Sequence, residues 1–143
     1  MMLSTKSTYG LRAVLAIALE DTGEAMPIAT ISRAEGISQD YLEQLLNKLR
    51  REGLVKSVRG PKGGYILSRA PDKITVRDVV RSLEGEISPV HCVTAQGRAQ
   101  TSCRMSNHCV PKTVWKKLAK SISECLGAIT IKDLCKEAKK KRG

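Results

Sequence analysis

Apolar positions recur with the period of an α-helix in several stretches of this chain. The first stretch, roughly residues 7 to 20, has one apolar stripe that we expect to face a core. Its members are Leu11, Val14, Leu15, Ala18 and Leu19. A short second helix is predicted to end at Gly36, and Ser38 is expected to cap a longer third helix that ends at Gly53. Leucines at helical spacing give this third helix its buried side, and they are Leu42, Leu45, Leu46 and Leu49.

The segment LVKSVRGPKGGYILSR, residues 54–69, changes the pattern from helix to strand. It contains two short β-rich runs on either side of a Gly/Pro turn, which predicts a hairpin. Two helices joined by a tight turn are a weak signal alone, because many helical proteins contain that geometry. A basic hairpin directly after them is typical of the winged form, in which a helix enters the DNA major groove and the wing reaches the backbone or the minor groove.

The second half of the chain predicts three more helices. Thr75 is expected to cap a short one, whose inward residues are Val76, Val79, Val80 and Leu83. Periodicity then disappears until Pro111, from which a long helix runs to about Ala128. Its seam consists of Val114, Leu118, Ile122 and Cys125, and so broad a stripe requires a partner. A last helix follows, and we expect its KKKRG end to fray into solvent.

These elements predict a mainly α fold with a small β-hairpin wing. We expect a winged helix-turn-helix DNA-binding domain over residues 1–83. Residues 84–110 are expected to form a loop whose cysteines, considered below, bind a metal cluster. Residues 111–143 are expected to supply a long dimerisation helix, a C-terminal helix and a tail. Cys125 and Cys135 lie on the apolar stripes of these last two helices, where we expect them to be small core residues.

Charge adds a partner to this picture. The 143 residues include 25 Lys and Arg against 14 Asp and Glu, a formal net charge of +11 that favours polyanions such as nucleic acid. The apolar run AVLAIAL follows Arg12 closely and precedes Glu20 without a cleavage site, so we interpret it as a helix of the mature protein. With no apolar run of about 18 residues or more, we expect a cytoplasmic protein that has no membrane partner.

The polar side of the third helix and the basic tip of the wing carry the candidate DNA contacts. A polar helix face is usually only a solvated surface, but the attached wing favours binding here. Glu43 and Gln44 have the groups that address cytosine and adenine edges, and Arg59 can enter a narrow minor groove. The candidate set is Ser38, Gln39, Tyr41, Glu43, Gln44, Lys48, Lys56, Arg59 and Lys62.

Three of the five cysteines, Cys92, Cys103 and Cys109, lie in the segment CVTAQGRAQTSCRMSNHC, which is too polar to order itself by burial. Metal ligation would supply a cross-link, and thiolates select zinc or iron–sulfur clusters. Ten residues separate the first two cysteines and five the last two, whereas zinc sites favour cysteine pairs about two to four residues apart. The spacing therefore favours a cluster, and three unrelated loop thiols are the alternative. Cys109 also lies just before a predicted helix N-terminus, whose dipole favours a thiolate.

These residues together resemble a known family. The stretch YLEQLLNKLRREGLVKSVRGPKGGYILSR, the amino-terminal LSTKSTYGLRAVLAIAL, the three loop cysteines and the VW of the following helix resemble the IscR-like family of bacterial winged-helix regulators. The resemblance implies a homodimeric transcription regulator that binds a double-stranded DNA operator and senses iron–sulfur supply or oxidative and nitrosative stress. It implies Cys92, Cys103 and Cys109 as cluster ligands in a cluster-binding loop, with a two-iron two-sulfur cluster favoured over a four-iron one. Glu43 matches a glutamate that discriminates between operator classes.

The chain departs from the family at the fourth ligand. The family's histidine three residues after the last cysteine is here Lys112, whose ammonium has no lone pair to donate at neutral pH. An aspartate of the partner's first helix, used by some members, falls on Thr8. His91 and His108 each adjoin a ligand cysteine, which strains simultaneous ligation. The fourth ligand and the cluster nuclearity therefore stay open.

Other functions compete with a cluster-sensing DNA-binding dimer. One alternative is a cluster-free winged-helix regulator controlled by zinc, by thiol oxidation or by an enzyme partner. An enzyme is disfavoured, because the chain has no recognisable acid–base pair, nucleophile–histidine arrangement or phosphate loop.

Overall fold

The computed structural model describes residues 3–20, 23–88 and 110–142, which contain six α-helices, a two-stranded antiparallel hairpin and one 3-10 turn. In chain order the elements are α1 (Thr5–Leu19), α2 (Ile28–Glu35), α3 (Gln39–Arg51), β1 (Val55–Val58), β2 (Gly64–Leu67), the 3-10 turn (Pro71–Lys73), α4 (Val76–Glu84), α5 (Lys112–Gly127) and α6 (Ile131–Arg142). This order confirms the predicted mainly α fold with a small β-hairpin wing.

The predicted helix starts depend on side-chain caps. The Ser38 hydroxyl accepts a hydrogen bond from the Tyr41 N–H at the start of α3. Thr75 and Asp78 form a capping box at the start of α4, in which each side chain accepts from the other residue's backbone N–H. Such caps satisfy backbone N–H groups that have no partner within the helix. The capping residues therefore mark the helix starts, and both helices could be predicted from the sequence.

Helix α1 is buried on a different face from the one that the apolar stripe predicted. Of the predicted stripe only Val14 is fully buried, and the deeply buried positions are Ser7, Gly10, Ala13, Val14 and Ile17. The reason is close packing on α4, since a Cβ at Gly10 would lie 2.1 Å from a methyl group of Leu83. Ser7, Gly10 and Ala13 are the small residues of this buried face, and Leu11 and Leu15 of the predicted stripe pack partly buried against the same core.

The hairpin is joined to the helices by a backbone bridge. Strands β1 and β2 pair from Val55 with Leu67 to Val58 with Gly64. Met26, just before α2, exchanges two 2.9 Å backbone hydrogen bonds with Tyr65 of β2. Gly64 permits this approach, because its φ is +153° and a Cβ there would lie 2.2 Å from the Met26 carbonyl oxygen.

The C-terminal helix returns to the main core. Ile131 and Cys135 of α6 belong to the cluster of buried residues around α1, as expected for Cys135. Backbone bonds of 2.9 Å from the Val76 N–H to the Ile129 carbonyl and from the Ile131 N–H to the Ile74 carbonyl tie its start to that of α4.

Two expectations about these last helices were wrong. Cys125 is exposed rather than part of the core, although Ile122 of the same seam packs partly buried against Val76 and Val80. The KKKRG end is helical through Arg142 rather than frayed. Cations are favoured near a helix C-terminus, and Lys141 also lies 3.8 Å from Glu137 one turn earlier.

Candidate nucleic-acid interface

Helix α3 separates a core side from a solvent side. Leu42, Leu45, Leu46 and Leu49 are buried, as the leucine spacing predicted. On the other side, Gln39, Glu43 and Gln44 are exposed, and Lys48 is partly buried. The structure therefore presents the candidate base-reading residues on one accessible surface, held by a rigid leucine face.

Tyr41, at the edge of α3, contacts α1. Its hydroxyl oxygen lies 2.9 Å from the Thr5 Oγ1, and its ring packs edge-on against Tyr9 with centroids 6.0 Å apart. Arg12 lies over the Tyr9 ring, 5.6 Å from its centroid, and its guanidinium donates 2.9 Å and 2.7 Å hydrogen bonds to the Glu35 side chain and carbonyl. These contacts hold α2 and α3 against α1.

Sequence reasoning missed that network. The only available signal was a helical spacing of Thr5, Tyr9 and Arg12, at positions i, i+4 and i+7 of α1. That spacing places the three side chains on one side of α1 but does not identify their partner.

The wing places its basic residues in solvent. Lys56, Arg59 and Lys62 are all exposed, and Arg59 and Lys62 lie in the turn between β1 and β2. A cation at the tip of a hairpin reaches furthest from the body of the domain. The arrangement fits a contact with DNA backbone or minor groove beside α3.

The predicted metal ligands Cys92, Cys103 and Cys109 lie outside the described residues. Within the described ranges, no group of three or more His, Cys, Asp or Glu side chains is placed to hold a metal ion. Directly after the cysteine segment, Lys112 begins α5 with 8% of its surface exposed. The position where the resemblance implies a histidine ligand is therefore occupied by a lysine that is buried at the start of a helix.

Two apolar surfaces of the described chain are open to solvent. The α5 seam presents Val114 and Leu118, which are 56% and 41% exposed. The second surface is a groove of about 450 Å³ between α1, α4 and the last two helices, lined mainly by Leu3, Leu11, Leu15, Val76, Val80, Leu126 and Leu134. Exposed apolar patches of this kind mark interaction sites in soluble proteins.

At the other end of α4, Glu84 is tied to the start of α1. Its carboxylate accepts a 2.9 Å hydrogen bond from the Ser4 N–H and another from the Ser4 hydroxyl. Burial raises the pKa of Glu84, but the hydrogen bonds from Ser4 and the nearby charge of Lys6 outweigh it, so the pKa lies below its ordinary value of 4.5. The ionised carboxylate therefore joins the helix that precedes the cysteine segment to α1.

Among the described helices, none is both long enough and apolar enough to cross a membrane.

Comparison with known proteins adds independent observations. A family model described as Rrf2, iron-dependent transcriptional regulator, matches residues 3–137. The HTH-type transcriptional regulator IscR of Xenorhabdus nematophila is 37% identical over 136 residues, which cover 95% of this chain and 80% of that protein.

Two solved structures share the fold. IscR of T. potens superposes with a TM-score of 0.79 at 38% identity, covering 100% of this chain and 92% of that one. CymR, the global cysteine regulator of B. subtilis, superposes with a TM-score of 0.76 at 34% identity, covering 96% and 98%. These relatives are transcriptional regulators, as the sequence resemblance implied, and the prediction that this chain is not an enzyme is confirmed.

Proposed function

The chain belongs to the Rrf2 family of DNA-binding transcriptional regulators, and from this membership we propose that it is a homodimer whose DNA binding is controlled by an iron–sulfur cluster. The observation that carries the proposal is the combination of a winged helix-turn-helix surface with a three-cysteine segment that joins α4 to α5. The family description as iron-dependent supports the choice of metal.

The donor set fits iron. Cys92, Cys103 and Cys109 would hold the cluster as thiolates, which are the ligands that such clusters use, and two-iron two-sulfur nuclearity is the more favoured form. A bound cluster would supply a centre that oxygen and nitric oxide attack. Lys112 cannot replace the family's histidine as an ammonium group, so one iron position would be left to a weak or cross-chain ligand.

DNA recognition would use the helix and the wing together. Glu43 and Gln44 would read base edges in the major groove, while Lys56, Arg59 and Lys62 would contact the backbone or minor groove. Ser38, Gln39, Tyr41 and Lys48 would complete the contacts along α3. Exposure of Glu43, Gln44 and Arg59 on the outer surface of one domain supports this assignment.

A second copy of this chain would cover the two open apolar surfaces. Each protomer offers both the α5 seam and the groove beside α1, so a two-fold axis can bury each seam and each groove. The same axis would place two recognition helices on one face of a duplex, at a spacing of whole helical turns.

The likeness to CymR favours a second candidate function. As a relative of a global cysteine regulator, this chain could be cluster-free and respond to zinc, thiol oxidation or an enzyme partner. The three closely spaced cysteines favour the cluster over that alternative.

Anaerobic purification followed by an absorption spectrum and iron and sulfide analysis separates the two candidates. Broad visible bands that disappear when Cys92, Cys103 or Cys109 is changed to Ala support the cluster, with Cys125→Ala as the matched control that keeps them. A colourless protein without bound iron would overturn it. In the same preparation, Arg59→Ala should weaken operator binding and its salt dependence, since one Arg–DNA contact is removed.

A further inference from the structure

A cleft beside α3, the proposed recognition helix, brings basic side chains from three helices together. It has a volume of about 500 Å³ and lies between the start of α1, the end of α3 and the end of α4. Lys6 comes from α1, Lys48 and Arg51 from α3, and Arg81 from α4. Basic groups that converge from separate elements on one concavity favour an anionic ligand.

Basic side chains outnumber acidic ones in the lining of the cleft. Glu52 and Glu84 are the acidic side chains in its lining, against four basic ones. Glu84 is already bound to the N–H and hydroxyl of Ser4. Its structural work is to hold α1 against α4, which fixes the two walls from which Lys6 and Arg81 extend.

The cleft continues the surface that would read DNA. Lys48 and Arg51 follow Gln44 at four and seven residues along α3, so the three lie on one side of that helix. A helix in the major groove runs between two phosphate backbones. The end of α3 and the helices beside it therefore come close to the phosphates that flank the groove.

We propose that this cleft is a binding site for the DNA phosphate backbone. Its basic residues, beside the recognition helix, are Lys6, Lys48, Arg51 and Arg81. The proposal rests on the proposed DNA-binding function and adds α1 and α4 to its contact surface. A phosphate contact fixes the position and orientation of α3 on the duplex without reading sequence.

The test is the salt dependence of DNA affinity measured with the full chain. Lys6→Gln and Arg81→Gln should each lower the slope of log K against log salt by about one, on operator and on non-operator duplexes alike. Lys73→Gln and Arg142→Gln remove the same charges from exposed positions outside the cleft and should leave more of the slope intact. Lys6→Arg and Arg81→Lys, which keep the charge, should restore it.

Several outcomes would overturn the proposed phosphate-binding site. Equal slope changes in the cleft and control variants would show an effect of net charge alone. Thermal melting shows whether each variant is folded, and a cleft variant that folds normally with an unchanged slope also rejects the proposal. Inorganic phosphate titrated at constant ionic strength tests a small-anion site: saturable stabilisation lost in Arg81→Gln, with an unchanged DNA slope, would assign the cleft to that anion instead.

The two proposals fail differently. If the unmodified protein shows no preference for any duplex, the proposed function fails. If the unmodified protein binds DNA and Arg59→Ala weakens that binding, but Lys6→Gln and Arg81→Gln behave like their controls, only the proposed phosphate-binding site fails.

Discussion

The hydroxyl groups of Thr5 and Tyr41 lie 2.9 Å apart and join the first turn of α1 to the first turn of α3. Tyr41 also contacts the ring of Tyr9. The position of the start of α3 therefore depends on its contacts with α1.

Tyr41→Phe removes this hydrogen bond and keeps the ring contact. We expect a loss of about 1 kcal/mol in the free energy of unfolding, because a typical net hydrogen bond contributes about that much. Urea denaturation of Tyr41→Phe, Thr5→Ala and the double variant measures the coupling. Strictly additive losses would show that the two hydroxyl groups do not interact.

Glu43→Ala should change which duplexes bind rather than how tightly all of them bind. A carboxylate accepts from cytosine and repels mismatched acceptors, so its loss relaxes the choice of base. Binding to a randomised duplex pool, followed by sequencing of the bound fraction, measures this change. Asp40→Ala removes a carboxylate one turn earlier on α3 and serves as the control. A uniform loss across all sequences would contradict the role of Glu43.

Glu84→Gln should reduce stability at neutral pH and have little effect in acid. The pKa of Glu84 is lower in the folded protein than its ordinary value of 4.5, so its stabilisation is complete above that value. It is lost as the pH falls through the folded pKa, where the carboxylate takes up a proton. The free energy of unfolding of both proteins, measured from neutral to acid pH, should converge at the acid end. A constant difference at every pH would assign the effect to packing.

Leu118→Gln should dissociate the proposed dimer. It places a polar amide on the exposed α5 seam, which the partner would have to bury. Lys120→Gln puts the same side chain on the opposite side of α5 and should leave the assembly intact. Analytical ultracentrifugation at micromolar concentration distinguishes them. A monomeric unmodified protein would reject the dimer itself.

Lys112→His should lengthen the lifetime of the proposed cluster in air. A neutral imidazole at the first position of α5 restores the ligand type that the family resemblance implies there. The decay of the visible absorption bands measures the lifetime, with Lys116→His one turn along as the control. If Lys112→His changes nothing while Lys112→Ala destroys the cluster, the lysine itself supports the metal site.

Most of the backbone plan could be predicted because its signals are local. Ser38 and Thr75 are capping residues directly before apolar helical repeats, and the hairpin turn has its own Gly/Pro chemistry. The fold of the described chain follows these markers closely.

The rest depends on contacts between distant parts of the chain. Periodicity assigned the larger side chains of α1 to the core, but close packing of Leu83 on Gly10 required small ones there. Thr5 and Tyr41 are 36 residues apart, and nothing local pairs them. Cys125 lies on an apolar stripe yet is exposed, because helical spacing alone does not distinguish a stripe that faces the core from one that faces solvent.

The backbone bridge between Met26 and Tyr65 has a mechanical consequence. The wing is bonded to the segment that leads into α2, and α2 packs on α3, so backbone hydrogen bonds and helix packing connect the wing to α3. A signal that altered the angle between them would have to break paired backbone bonds. In the proposed dimer, a signal would therefore change the distance between the two α3–wing units rather than the angle within one of them. The spacing of the two operator half-sites would have to match that distance. An operator with one base pair inserted between its half-sites would then distinguish the active form from the inactive one.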